Sequence, residues 1–221
     1  MRRLRKKSKA ILVLTMIFFA FLFIKQVLQI PFSVKLSTPL NKMNSVAIVE
    51  KYSTQIHDEL KKYGLEDHTL TLIAVMQQES RGKGGDPMQA SESAGLAPNT
   101  ITDPAESIKY GVKHFQRVIE YGNEKDVDFS TIIQSYNMGI GYIDFIANSG
   151  GKHTEELAKE FSALQVEKNP ELYDCGGNKD NFRYPYCYGD FSYSDKVEKI
   201  LATLENSTPA IAIEEKTDEA F

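Results

Sequence analysis

The sequence predicts a mostly α-helical domain built around one buried helix and preceded by a single N-terminal membrane-spanning helix. Three observations carry this. Residues 70–76 are apolar nearly all round a helical segment, so that helix must be enclosed by others. Helix start and stop signals recur between residues 45 and 205, and no convincing strand alternation appears, with room for one short ribbon within 80–98. Six cations and no acid fill residues 1–9, and an apolar run follows.

That run, Ala10–Ile24, has Thr15 as its lone polar residue. At ~1.5 Å per residue it reaches about 22 Å, short of a ~30 Å hydrocarbon core. Extension to Ile30, with Lys25 snorkelling, makes up the difference. No small-x-small cleavage pattern follows Ile24 and no Cys offers a lipid attachment, so residues 10–30 read as an uncleaved signal anchor rather than a removed signal peptide. The positive-inside rule keeps residues 1–9 in the cytoplasm and puts the rest outside: a single-pass membrane protein with its domain outside the cell. Residues 31–44 are a polar linker, and 206–221 an acidic, disordered tail.

The first helix is predicted over Ser45–Tyr63, with Gly64 where a C-terminal glycine belongs. Asp67 is placed to cap the buried helix Thr69–Glu79. Asp103-Pro104-Ala-Glu106 opens the next helix with a cap, a proline at the first position and a glutamate three residues on; Ile108, Val112, Phe115 and Ile119 give its inner stripe, and Gly122 closes it. Ser130–Asn137, Gly141–Ala147, Thr154–Glu167 and Ser194–Leu204 complete the set.

Charge excludes one class of partner. Of 26 cations, six lie in the first nine residues, and the other 20 face all 30 acids. A body that acidic argues against nucleic acid. The two cysteines, Cys175 and Cys187, share a Gly- and Tyr-rich loop. Outside the membrane they are expected to pair; two free thiols are the alternative, and neither CxxC spacing nor a nearby His supports a metal. His57, His68, His114 and His153 are scattered without ligand spacing, and His114, beside Phe115 on a helix, reads as structural.

Three places carry chemistry. Glu79 ends the buried helix before the loop Ser80-Arg-Gly-Lys-Gly-Gly85; an apolar surrounding and a helix C-terminus both favour a protonated carboxyl, as a general acid needs. Seven residues on, Asp86 begins Asp86-Pro87-Met88-Gln89, and paired carboxylates are the usual equipment for cutting a glycosidic bond, with Glu92 a rival for the second role. Tyr136-Asn137 closes a helix before Gly139 and offers a phenol and a carboxamide to sugar hydroxyls. Taken singly, these are a solvent-facing helix end, a polar loop and a capping Asn. The aromatics Tyr173, Phe182, Tyr184, Tyr186 and Tyr188 suit either stacking on sugar or covering core.

The combination is the specific signal. Glu-Ser after an apolar helix, then Met-Gln, then Tyr-Asn-x-Gly, then Gly189-Asp-Phe-Ser-Tyr193 before the last helix, resembles the goose-type lysozyme and lytic transglycosylase superfamily. Within it the chain is most similar to the lysozyme domain of CwlT-like cell-wall hydrolases and to the pneumococcal vaccine antigen A group. The resemblance covers about residues 45–205 and implies a lysozyme-like domain of the α+β class. It implies a membrane-anchored N-acetylmuramidase acting on peptidoglycan without metal or other cofactor. Glu79 would be the catalytic acid, Asp86 the second carboxylate, and Met88, Gln89, Tyr136 and Asn137 the substrate-binding residues. A lytic transglycosylase and a non-catalytic peptidoglycan-binding component are the competing expectations.

Overall fold

The computed structural model describes residues 51–207. The basic segment 1–9, the anchor 10–30, the linker 31–44, the start of the first predicted helix and the tail from 208 lie outside the described residues. Among those described, no helix is long and apolar enough to cross a membrane.

Seven α-helices are described. α1 (Ser53–Lys61) buries Ile56 and Leu60, and Gly64 ends it with φ +67°, a conformation that costs glycine least. A 3₁₀ turn, Glu66–His68, leads into α2 (Thr69–Glu79). Asp67 therefore caps nothing. It lies inside that turn, and the Thr69 amide that a cap would compete for already donates to the Glu66 carbonyl. Residues 71–76 of α2 are all buried, which makes it the central helix that its apolar run predicts. α1 and the last helix pack against it.

α3 (Pro104–Glu124) starts as predicted: the Asp103 carboxylate accepts from the Ala105 amide at 3.0 Å, ahead of Pro104. It does not close at Gly122. A Cβ there would lie 2.5 Å from Ile132 Cγ1, so this glycine lets Ile132 of α4 (Phe129–Met138) pack close against α3. α4 is capped by Asp128, and Gly139 at φ +77° terminates it. α5 (Gly141–Ala147), α6 (Glu155–Lys168, capped by Thr154) and α7 (Tyr193–Ser207) follow.

The described residues contain no strand, so the ribbon considered within 80–98 is not formed and the domain is helical. That segment is a chain of turns instead. Gln89, Ala94, Gly95 and Leu96 donate to carbonyls three to five residues back. The physical cause is the buried carboxylate of Asp86, which draws backbone donors inwards and leaves no extended ladder to build. One core cluster surrounds α2 with Leu60, Val112, Phe115, Ile133 and Val197. A second joins α4, α5 and α6 through Met138, Tyr142, Ile146, Ala158 and Phe161. Between α6 and α7 runs a long loop in which Cys175 and Cys187 are disulfide-bonded, with Cα atoms 5.0 Å apart.

Candidate active site

Glu79 is the last residue of α2, half-buried at the point where the apolar helix meets an open cleft of about 480 Å³. Burial pushes its carboxyl from an ordinary 4.5 up to about 7. The Tyr193 hydrogen bond works the other way, and the negative charges of Asp86 and Asp190 add to the rise. The result is a carboxyl that keeps a substantial protonated fraction near neutral pH and faces an open cleft.

Tyr193 is the hydrogen-bond partner of Glu79 that sequence reasoning missed. Its hydroxyl donates to Glu79 Oε1 at 2.6 Å across 114 residues, from the first position of α7, and its ring is 2% exposed. The Gly-Asp…Tyr run was visible as an entry to the last helix, but nothing local indicates that the tyrosine reaches back to α2. Two carboxamides of α4 hold it there. Gln134 donates to the Asp190 carbonyl at 2.7 Å and accepts from the Ser194 amide at 3.0 Å. Asn137 Oδ1 accepts from the Asp190 amide at 2.7 Å. Gly189 is required for this closeness, since a Cβ there would sit 2.8 Å from Asn137 Oδ1. His153 completes the support, with Nδ1 2.7 Å from the Tyr142 hydroxyl and Nε2 2.8 Å from Ser194 Oγ. His153 is thus a strut and not a ligand.

Asn137 and Tyr136 both line the cleft. Asn137 has its oxygen committed to the α7 loop, which leaves its amide nitrogen for a ligand. Tyr136 is 8% exposed, and its hydroxyl donates to the Met88 carbonyl at 3.3 Å, clamping the loop to α4. His114 lies against Tyr136, ring centroids 4.7 Å apart, with Nε2 3.0 Å from the Tyr136 carbonyl. It borders the same cleft, and burial holds its pKa below the usual imidazole value. A neutral ring there adds no positive charge to offset the rise at Glu79.

The loop after α2 divides its predicted residues. Gln89 is exposed on the cleft. Met88 does not line the cleft: its side chain is fully buried, and a Cβ on Gly111 would lie 2.7 Å from Met88 Cβ. An unbranched thioether fills the gap that a glycine on α3 leaves, so Met88 shapes the loop from inside. Asp86 also departs from expectation. It is 5% exposed and does not line the cleft. Its Oδ1 accepts from the Ala90 amide at 2.8 Å and the Ser107 hydroxyl at 2.6 Å. Its Oδ2 accepts from the Ser91 amide at 3.0 Å and the Ser91 hydroxyl at 2.6 Å. Burial opposes ionisation, but these donors outweigh it and hold the carboxyl below its ordinary value. A carboxylate with four donors has no lone pair left to direct water, so Asp86 acts as a fixed negative charge and a loop anchor. Its rival Glu92 is exposed on the cleft with Glu79, alongside Ser93, Tyr173 and Tyr188.

The aromatic loop splits likewise. Tyr173 and Tyr188 line the cleft, with their rings edge to face at 4.9 Å. Phe182 and Tyr184 point to solvent at 64% and 44% exposure. Among the described residues no group of three or more His, Cys, Asp or Glu could hold a metal ion.

A lysozyme-like family model matches residues 46–201. An uncharacterized membrane protein, YocA of Bacillus subtilis, is 55% identical over 74% of this chain and 72% of its own length. The bifunctional muramidase/DL-endopeptidase CwlT of B. subtilis is 40% identical over 68% of this chain, which spans 39% of that longer protein. Pneumococcal vaccine antigen A of Streptococcus pneumoniae is 36% identical over 63% of this chain and 66% of its own length. Among solved structures, a Staphylococcus aureus protein described as similar to lipoprotein, NLP/P60 family, superposes with a TM-score of 0.60 at 36% identity, covering 70% of this chain and 52% of that one. The chain belongs to the lysozyme-like family, in the group that holds the CwlT lysozyme domain and pneumococcal vaccine antigen A.

Proposed function

We propose that the chain is a peptidoglycan N-acetylmuramidase, held at the outer face of the cell membrane by residues 10–30. The single observation that carries the reading is Glu79: a carboxyl raised to about 7, pinned by Tyr193, at the side of an open cleft of about 480 Å³. The relative named a muramidase, 40% identical, supports the substrate class. The relative named a membrane protein supports the anchor.

Tyr193 occupies Oε1, so the acid proton resides on Oε2. Glu79 gives that proton to the β-1,4 oxygen between N-acetylmuramic acid and N-acetylglucosamine. The bond from the muramic C1 to that oxygen breaks, and C1 becomes oxocarbenium-like. Water attacks C1 and loses a proton, leaving a reducing muramic end. Glu92, in the same cleft, is the candidate to direct that water. Asp86 contributes charge, helping to keep Glu79 protonated. The Asn137 amide and the Tyr173 and Tyr188 rings are suited to hydroxyls and sugar faces.

One observation favours a second reading. With Asp86 engaged by four donors, a mechanism that relies on Glu79 alone is also served. A lytic transglycosylase needs only that, with the 6-hydroxyl of the same muramic acid replacing water. Digestion of purified peptidoglycan, read by mass spectrometry, separates the two. Reducing muramic ends, absent with Glu79→Gln, support the muramidase. 1,6-Anhydro ends identify a transglycosylase. No cleavage by the wild type overturns both.

A further inference from the structure

A second, smaller hollow of about 240 Å³ adjoins the catalytic cleft. Lys83, Gly84, Gly85, Asn99 and Thr102 are among the residues that line it. Gln89 borders both hollows. The loop that makes it is rigidly built. The Ser80 hydroxyl donates to the Pro87 carbonyl at 2.7 Å and ties the two ends of the loop together. Gly85 backs so closely onto the Thr102 backbone that a Cβ would lie 2.5 Å from it. Gln89, at the junction, holds φ +48° while its amide donates to the Asp86 carbonyl at 2.9 Å. A non-glycine residue persists in that region only where its surroundings fix it, and such residues cluster at ligand sites.

Size and charge narrow the occupant. The hollow is smaller than the ~300–1,000 Å³ that encloses a whole small ligand, so it suits one branch of a larger ligand lying in the cleft. A glycan strand of peptidoglycan has such branches: each muramic acid carries a peptide on its lactyl ether, with alanine methyl and free carboxylate groups. Among the lining residues, Lys83 is exposed and joins none of the ion pairs in the described residues. Asp86 also lines the hollow, but its oxygens are filled by four donors. Ile101 supplies an apolar wall.

We propose, resting on the muramidase reading, that this hollow is a subsite for the stem peptide of the muramic acid beside the cut. Gln89 marks the branch point, Ile101 meets the alanine methyl, and Lys83 faces the carboxylate. The enzyme then reads peptide-bearing strands in preference to bare glycan.

The test uses the full chain and two substrates: intact peptidoglycan, and the same material stripped of peptides by an amidase. The wild type is expected to show a higher kcat/KM on intact strands. Lys83→Glu should lower the intact-to-stripped ratio at least threefold, mainly through KM, and Lys83→Arg should keep it. Equal ratios in wild type and Lys83→Glu would overturn the subsite. Binding of a soluble muramyl dipeptide, followed by calorimetry, keeps the two proposals separable. Weaker binding by Lys83→Glu, in a protein that cuts neither substrate, upholds the subsite and removes the muramidase reading. Equal binding by both proteins removes the subsite.

Discussion

Replacing Glu79 with Gln should stabilise the protein at alkaline pH and change little in acid. The carboxyl moves from 4.5 in the unfolded chain to about 7 in the fold. A group whose folded pKa is raised contributes fully below its unfolded pKa, and its contribution is lost as pH rises through the folded value. The loss therefore starts near 4.5 and is complete just above 7. At about 1.4 kcal/mol per pH unit, it amounts to about 3 kcal/mol. Gln keeps the acceptor for Tyr193 and carries no charge, so the variant escapes the loss. Urea unfolding of both proteins at about pH 4.5 and about pH 8 measures it, provided both transitions are two-state. The Gln variant should gain about 3 kcal/mol on the wild type between those conditions. A difference that is constant with pH would refute the raised carboxyl, and with it the account of Glu79 as a neutral-pH acid.

Four further outcomes follow from the same structure. Tyr193→Phe removes the donor that favours the Glu79 carboxylate, so the alkaline limb of its pH–rate profile should move to higher pH; a shift to lower pH would contradict the hydrogen bond's role. Asp86→Asn turns an amide onto donors that need an acceptor, and should cost about 2–4 kcal/mol in thermal or urea unfolding. Gly111→Ala drives a methyl into Met88 and should cost about 1–3 kcal/mol, with a loss of activity as the Gln89 loop shifts. Replacing Cys175 and Cys187 together by Ser opens a loop of sequence separation 12 and should cost about 2–3 kcal/mol, read as a lower unfolding midpoint.

What the sequence revealed was mostly local. Asp103 caps where it stands, because a cap needs only the next three residues. The run at 70–76 announced a buried helix because no amphipathic face was left over. That Glu79 and Asn137 share one cleft agrees with their settings at the ends of two apolar helices. What it hid depends on distant partners. Gly122 looks the same in sequence whether it ends a helix or admits Ile132, and only the crossing of α3 and α4 decides. Met88 looked like half of a substrate motif, yet the glycine that buries it is 23 residues away on α3. The engagement of Asp86 was equally hidden, since Ser107, which donates to its Oδ1, lies 21 residues on. Tyr193 reaches Glu79 only because Gln134 and Asn137 hold the start of α7, a link with no local signal.

The most direct test of the central claim is the rate of glycan release from peptidoglycan by wild type and Glu79→Gln between about pH 5 and pH 9. The account predicts a wild-type rate that falls above about pH 7 as Glu79 loses its proton. It predicts a Gln variant slower by about 10²–10⁴-fold at every pH, the usual contribution of a general acid. Cleavage by Glu79→Gln at the wild-type rate would contradict it.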